Sequence, residues 1–324
     1  MTTPRYALFF DIDGTLVSFQ THEIPPSTIL ALTQAKANGH KVFIATGRPP
    51  IIITNLGAIE HLIDGYVTIN GALCFVGNEI VSCNTIPQQE VRLVVDDAKE
   101  KNYGVIVIGE HSIAVSDPKG DVDLIFRQHL AVENLQLARP MEEVLQQRIL
   151  QITAFFGKDY EQELMNRIPG CTSGRWHPAF TDITALEADK GKGLLTMAAH
   201  EGLDPQYTMA FGDGGNDTSM ILTAGIGVAM GNAIDELKAA ADFVTTSVDE
   251  EGKRHHRELC QTADDDIPRT AEHHPKILPM QRQAHAEHDD AQQRIDHRRL
   301  DKAEHFWPEQ RRHSSQKHQH THIV

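Results

Sequence analysis

An apolar segment that ends in two aspartates constrains the fold of this chain more than any other feature. Residues 6–10 have the pattern of a buried strand and lead directly into DIDGT at 11–15, which contains Asp11 and Asp13. In α/β sheets, functional side chains gather just beyond the carboxyl ends of parallel strands. Two carboxylates there can form a nucleophile and proton-transfer pair or a divalent-metal site. Asp and Gly are also common in turns that carry no chemistry, so both interpretations stand at this point.

Strands and helices alternate at both ends of the body of the chain. The pattern predicts helices over 27–38 and 191–201, and strands over 6–10, 41–45, 66–69, 207–211, 225–230 and 241–245. Alternation of this kind is typical of a doubly wound parallel sheet with helices on both faces.

The middle of the chain has a different pattern. Its apolar and polar residues alternate over 104–108, 111–115 and 151–156, which predicts antiparallel strands, with helices over 88–101 and 159–167. We therefore predict an α/β core made of residues 1–80 and 186–252. An α+β cap domain is inserted between these two parts, at 81–185.

The segment 253–324 differs from the rest in composition. None of the 23 glycines lies beyond Gly252, whereas most of the 19 histidines fall in this segment. A polar tract of this kind buries too little apolar area to offset chain entropy, which predicts disorder, weak helix or a tail foreign to the natural gene. Closely spaced histidines also leave a metal-binding tail open. The features that indicate a function all lie within residues 1–252.

Composition narrows the possible partners and location. The chain has 324 residues and lacks an apolar run of about eighteen residues, and its first residues lack the apolar stretch of a signal peptide. Its four cysteines form no CxxC pattern, so we expect reduced thiols, a cytoplasmic location and no membrane partner. The net charge of −15 argues against nucleic-acid binding. The negative net charge remains compatible with an anionic substrate, because a bound metal and a few cationic side chains reverse the charge locally.

Three further polar segments follow predicted strands or precede a predicted helix. They are Thr46-Gly47-Arg48 after 41–45, Lys190 before 191–201, and the loop GDGGND at 212–217, which supplies Asp213, Asn216 and Asp217. Carboxylates are the hard oxygen ligands that Mg²⁺ prefers, whereas hydroxyl, amide and ammonium groups donate to phosphate oxygens. Four acids in one place would repel one another, so the cluster requires counter-charges such as Mg²⁺ and Lys190.

In order along the chain, four segments resemble the motifs of the haloacid dehalogenase (HAD) superfamily of phosphotransferases, and within it the Cof-type sugar-phosphate phosphatases. The segments are DIDGT (11–15), ATGR (45–48), KGKG (190–193) and GDGGND (212–217). The resemblance covers residues 5–252 and implies a Rossmann-like core. The long interval between the second and third motifs is similar to the position of the family's type IIB caps.

The resemblance implies a Mg²⁺-dependent phosphatase that acts on small phosphorylated metabolites, above all sugar phosphates. In this mechanism Asp11 is the nucleophile that becomes a phospho-aspartate, and Asp13 is the acid–base. Mg²⁺ would be bound by Asp11, by the backbone carbonyl of Asp13 and by Asp213, with Asn216 and Asp217 as support.

The remaining candidate residues are those expected to contact the substrate. By the same resemblance, the phosphoryl oxygens would be bound by Thr46, the Gly47 amide and Lys190. Contacts to the leaving group are expected from Arg48, Asn70, Arg175 and Trp176. Two alternatives remain: a phosphomutase of the same fold, and a catalytically silent regulatory or binding protein, against which the retained chemical groups of all four motifs argue. No motif fixes the physiological substrate or the oligomeric state.

Overall fold

The computed structural model describes residues 5–129, 135 and 137–250. The predicted tail at 253–324 lies outside these residues. Across the described ranges, no helix combines the length and the apolar character needed to cross a bilayer.

The described part of the chain contains thirteen strands and seven α-helices. The strands are β1 (Ala7–Phe10), β2 (Lys41–Ala45), β3 (Gly65–Thr68), β4 (Leu73–Val76), β5 (Glu79–Cys83), β6 (Val105–Gly109), β7 (Ile113–Ser116), β8 (Ile149–Ala154), β9 (Cys171–His177), β10 (Phe180–Ala185), β11 (Thr208–Gly212), β12 (Ile226–Ala229) and β13 (Phe243–Val244). The α-helices are α1 (Pro26–Ala37), α2 (Gln88–Lys101), α3 (Met141–Val144), α4 (Lys158–Met165), α5 (Lys190–His200), α6 (Thr218–Thr223) and α7 (Asp235–Ala240). A π-helix spans Asp123–His129.

The larger sheet has the strand order β13-β12-β11-β1-β2-β3-β4-β5. Strands β13 to β3 are parallel to one another, and β4 and β5 extend the sheet as an antiparallel hairpin. The predicted Rossmann-like α/β fold is thus confirmed, but the sheet is mixed. A short 3-10 turn at Ile69–Gly71 leads from β3 directly into β4, and a turn this short leaves no room for the crossover helix that a parallel strand needs.

Strand β1 is apolar along its whole length because both faces of the sheet are covered. Leu8 and Phe10 pack in one cluster with Leu32 of α1. Phe9 packs on the opposite face with Met197 of α5. A strand between two helical layers buries every side chain, so its sequence is a continuous apolar run.

Helix ends in this fold follow local sequence signals. Pro26 occupies the first turn of α1, where its missing N–H costs nothing, and Gly39 follows the helix with φ +87°. Helix α2 ends at Asn102 in the left-handed conformation. The side chain of Asp189 caps α5 by accepting a hydrogen bond from the Lys192 amide.

The smaller sheet is antiparallel throughout, with the order β7-β6-β8-β10-β9. One face, here called the helix-side face, packs against α2 and α4 through residues such as Val94, Leu164 and Ile152. The opposite face includes Ile106 and lies in one apolar cluster with Ile69 of the core. We call this second surface the core-facing face, and we call the smaller sheet with its helices the cap.

The first predicted domain boundary needs a correction. A boundary at residue 80 would cut β5 (Glu79–Cys83), which pairs with β4 in the larger sheet. The strands of the smaller sheet begin only at β6 and end with β10 at Ala185. We therefore place the change from core to cap after Cys83.

A buried carboxylate connects α2 to the rest of the cap. Asp97 is 2% exposed and accepts hydrogen bonds from the hydroxyls of Tyr103 and Tyr160, each at 2.9 Å, and from Arg167 Nη1 at 2.5 Å. Burial by itself would raise the pKa of Asp97, but the hydrogen bonds from Arg167 and the two tyrosines outweigh it and lower the pKa. The ionised form of Asp97 therefore stabilises the folded cap.

We expect Asp97→Asn to lower the free energy of unfolding by about 1–3 kcal/mol at neutral pH. Because the pKa of Asp97 is lower in the folded state, its stabilising effect is complete above the unfolded-state pKa of about 3.9 and disappears as the pH falls through the folded-state pKa. The difference between variant and wild type should therefore shrink on acidification. Urea unfolding across a pH series measures it. Asp96→Asn, at an exposed position of the same helix, is the control, and an equal loss in both variants would contradict the assignment.

Candidate active site

The predicted site residues meet at one edge of the larger sheet. Asp11 directly follows β1, Thr46 follows β2 and Asp213 follows β11. Lys190 is the first residue of α5, and Asn70 lies in the turn after β3. Since these strands are parallel neighbours, their carboxyl ends bring the side chains together.

Lys190 is the buried centre of the site. Its side chain is inaccessible to solvent, and its Nζ donates to Asp11 Oδ1 at 2.7 Å and to Asp217 Oδ1 at 2.6 Å. Burial would lower the pKa of Lys190, but the carboxylates of Asp11 and Asp217 outweigh it and raise the pKa. A cation at the positive end of a helix is normally unfavourable, so these two carboxylates hold the ammonium there.

Asp217 connects the lysine to the glycine-rich loop. Its Oδ1 accepts from Lys190, and its Oδ2 accepts from the backbone amides of Asp213 and Gly214, both at 2.9 Å. The residue is fully buried. Asp217 therefore fixes the backbone that presents the Asp213 carboxylate.

Asp213 packs closely against the DIDGT turn. The Thr15 hydroxyl donates to Asp213 Oδ1 at 3.2 Å. Gly14 has φ +81°, and a Cβ at this position would lie 2.2 Å from Asp213 Oδ2. Only glycine meets both the backbone conformation and the close approach, which explains the Gly of DIDGT.

The acidic cluster has too little positive charge of its own. Burial, and after it the neighbouring Asp217 and Asp13, raise the pKa of Asp11 well above its ordinary value despite the opposing effect of Lys190. Burial and the charge of Asp217 raise the pKa of Asp213 to about 7. One oxygen each from Asp11, Asp213 and Asp217 lies within 4.8 Å of the others. This oxygen donor set fits a divalent cation, which would let all three acids ionise.

Asp13 has a different partner from the other acids. Arg48 donates to it through Nε and Nη2, each at 2.7 Å, in a bidentate pair. The Asp13 carboxylate thus lies outside the three-acid group, and only its backbone carbonyl is left for the predicted metal site. Arg48, a predicted contact to the leaving group, is thus paired with the predicted acid–base in this structure.

Hydrogen bonds join three loops at this edge of the sheet. The Thr46 side chain is buried and its Oγ1 accepts from the Arg48 amide at 3.1 Å, while its carbonyl accepts from the Asn70 amide at 3.0 Å. Asn70 has φ +50°, a left-handed conformation that asparagine tolerates. Its Oδ1 accepts from Asn216 Nδ2 at 3.0 Å, and Gly47 lies directly beside it. The predicted residues of the second and fourth motifs are therefore neighbours.

The cap residue Arg175 lies apart from this group. Its neighbour Gly174 pairs with Asp182 on the core-facing face, so Arg175 points to the helix-side face. There Arg175 Nε donates to Glu161 Oε2 at 2.6 Å and the guanidinium packs over Phe156. The structure therefore does not bring Arg175 together with the other predicted site residues. The side chain of Trp176, in the same strand, lies outside the described part of the chain.

Asn232, which belongs to none of the four motifs, lies on the other side of the DIDGT turn. Its Nδ2 donates to the Gly14 carbonyl at 2.8 Å, and its Oδ1 accepts from the Val248 amide at 3.0 Å. The following residue, Asp249, accepts a hydrogen bond from the Ser18 hydroxyl. Its place in the sequence could have indicated a role in the site, because Asn232 follows β12 at the same edge of the sheet as the other site residues.

Comparison with known proteins places this geometry in a family. A model of haloacid dehalogenase-like hydrolases matches residues 8–253. The YkrA protein of Bacillus subtilis (strain 168) is 33% identical over 251 residues, which cover 76% of this chain and 93% of that protein. A solved HAD subclass IIB sugar phosphatase is 47% identical, with a TM-score of 0.73, and the match covers 79% of this chain and 98% of the other. A HAD phosphatase from Bacteroides thetaiotaomicron is 32% identical, with a TM-score of 0.71 and coverage of 80% and 95%. The chain belongs to the haloacid dehalogenase-like hydrolases, which confirms the resemblance carried by its four motifs.

Proposed function

We propose that this protein is a Mg²⁺-dependent phosphatase that hydrolyses small phosphorylated metabolites, with sugar phosphates as the main class, through a phospho-aspartate on Asp11. The observation that carries the proposal is the buried Lys190, paired with Asp11 and Asp217 beside Asp213. The names of two similar proteins support small phosphate esters as the substrate class. One is a sugar phosphatase, and a 29% identical protein of Escherichia coli (strain K12) is named as a pyridoxal phosphate phosphatase.

Asp11 would act as the nucleophile. Its Oδ1 is fixed by Lys190, which orients the carboxylate and neutralises part of its charge. Attack of an Asp11 oxygen on phosphorus forms the acyl phosphate while the bond to the leaving oxygen breaks. The Thr46 hydroxyl, the Gly47 amide and the Lys190 ammonium would donate to the phosphoryl oxygens, where charge is spread in the transition state.

The acids of the cluster would hold the metal. We propose that Asp11, Asp213 and the backbone carbonyl of Asp13 bind Mg²⁺, with Asn216 and Asp217 as support. When bound, the ion supplies the positive charge that reduces the repulsion between the carboxylate nucleophile and an anionic phosphoryl group.

Asp13 would move the proton in both half-reactions. It would protonate the leaving oxygen as the phospho-aspartate forms and then remove a proton from the water that hydrolyses it. The bidentate pair with Arg48 occupies both Asp13 oxygens. Each oxygen keeps a second lone pair for proton transfer, so Arg48 can orient the carboxylate without blocking it, which makes Arg48 a positioning residue for the acid–base.

Asp11→Asn should reduce turnover by at least about three orders of magnitude, because a carboxamide is a poor nucleophile at phosphorus. Release of inorganic phosphate from p-nitrophenyl phosphate and from hexose phosphates measures the effect, and circular dichroism checks that the variant is folded. The exposed Asp235→Asn at the start of α7 is the matched control and should keep wild-type rates. A folded Asp11→Asn variant that retains a tenth of the activity would refute the nucleophile.

Removal of divalent cations with a chelator should stop hydrolysis, and added Mg²⁺ should restore it. Asp213→Asn should raise the Mg²⁺ concentration needed for half-maximal activity by about tenfold or more, since it removes a charged oxygen ligand. A Mg²⁺ titration of the rate measures both effects, again with Asp235→Asn as control. A hydrolysis rate that chelation leaves unchanged would exclude the metal from the reaction.

A further inference from the structure

Three successive residues between β3 and β4 have a left-handed backbone. The φ angles of Ile69, Asn70 and Gly71 are +54°, +50° and +92°. Glycine and asparagine adopt positive φ angles readily, but a β-branched residue such as Ile69 is a steric outlier there. Residues 69–71 are here called the linking turn. Ile69 is the member of this turn whose backbone conformation costs free energy.

The backbone of the linking turn is bonded to the second motif, ATGR. The Ile69 amide donates to the Arg48 carbonyl at 3.2 Å, and the Asn70 amide donates to the Thr46 carbonyl at 3.0 Å. Both hydrogen bonds end on the segment that supplies the proposed phosphate donors, which are the Thr46 hydroxyl and the Gly47 amide. The path of this segment therefore depends on the backbone conformation of residues 69 and 70.

The linking turn also reaches the third and fourth motifs. Asn70 Oδ1 accepts from Asn216 Nδ2 of the glycine-rich loop at 3.0 Å. Gly71 packs against the residue that caps α5, because a Cβ at Gly71 would lie 2.2 Å from the carbonyl oxygen of Asp189. Lys190, the buried centre of the site, directly follows Asp189. One turn of three residues thus touches the surroundings of three of the four motifs.

The side chain of Ile69 packs against the cap. It is fully buried and shares an apolar cluster with Ile106, Phe155 and Phe180 of the cap. A strained backbone conformation persists only where the surrounding structure holds it. Because a β-branched residue does not favour positive φ by itself, we attribute the hold on residue 69 to this packing.

We propose that Ile69 is a positioning residue for the phosphoryl-transfer site. Packing of its side chain against the cap holds the linking turn in its left-handed conformation. The turn in turn places Thr46, Gly47 and Asn216 relative to one another. Contact between core and cap is thereby coupled to the arrangement of the phosphate-binding groups. The inference rests on the proposed phosphatase function, and Ile69 acts only through the turn.

The test separates backbone strain from loss of packing at position 69. Ile69→Ala and Ile69→Gly both remove the packing, but glycine adopts positive φ about as readily as negative φ, whereas alanine does so rarely. Ile69→Ala should lower kcat/KM for p-nitrophenyl phosphate by about tenfold or more, since few molecules then hold the turn. Ile69→Gly should be about threefold or more above Ile69→Ala in kcat/KM, with a higher midpoint of urea unfolding.

Ile113 is the matched control, because it is a buried isoleucine of the same cluster on strand β7. In a strand, glycine is less favourable than alanine. Ile113→Gly should therefore be less stable than Ile113→Ala, and neither change should alter kcat/KM of the folded protein. The inference is overturned if Ile69→Gly is no more active than Ile69→Ala, if Ile69→Ala keeps wild-type activity, or if the changes at position 113 cause the same losses.

Hydrogen exchange measured by NMR tests the turn without turnover. Ile69→Val and Ile113→Val each remove one methyl group, so both variants are expected to fold. Ile69→Val should speed exchange of the amides of residues 69 and 70 by about threefold or more, because the hold on the turn weakens. Ile113→Val should leave these two amides unchanged. Equal exchange rates in the two variants would reject the inference.

The two assays keep this inference apart from the proposed function. Hydrolysis of p-nitrophenyl phosphate by the wild type, with no effect of the changes at position 69, would leave the phosphatase standing and reject the positioning role. If the wild type hydrolyses no phosphate ester, the proposed function fails. Hydrogen exchange then decides the role of Ile69 in holding the turn by itself.

Discussion

The ion group formed by Lys190, Asp11 and Asp217 is the interaction on which the site depends. It joins the end of β1, the start of α5 and the loop after β11, which are far apart in sequence. Burying charged groups costs several kcal/mol unless each is paired, so the group persists only while all three members are present. The same pairing orients Asp11, and it leaves the second oxygen of Asp217 available to accept hydrogen bonds from the loop backbone. The arrangement of the candidate site residues and the local folding therefore rest on one set of contacts.

The core and the cap use their sheets in different ways. In the core, parallel strands bring acids and donors to one edge, where phosphoryl chemistry is favoured. In the cap, alternation along β8 and β10 sends Ile152 and Ile183 to the helices and Thr153 and Asp182 towards the core. Strands β8 and β10 thus pack one face within the cap and turn the other face towards the core.

Sequence patterns predicted the elements that carry strong periodicity. Strand β2 at Lys41–Ala45 and helix α2 at Gln88–Lys101 match their predicted bounds. Strands β9 and β10 were not predicted, because polar residues on both of their faces hide the alternation. The motifs located the acids, since these follow strand ends. The Arg48–Asp13 pair and the direction of Arg175 depend on rotamers and register, which spacing alone does not encode.

The contacts of Asn232 and Asp249 bear on how short a working chain can be. Strand β13 ends at Val244, so the sheet itself is complete before Val248. Yet Asn232 bridges Val248 to Gly14, and Asp249 binds Ser18, so the residues after the last strand support the turn that follows Asp11. The contacts around the DIDGT turn therefore extend further along the chain than those of the sheet, and a shortened chain that preserves them has to extend through Asp249.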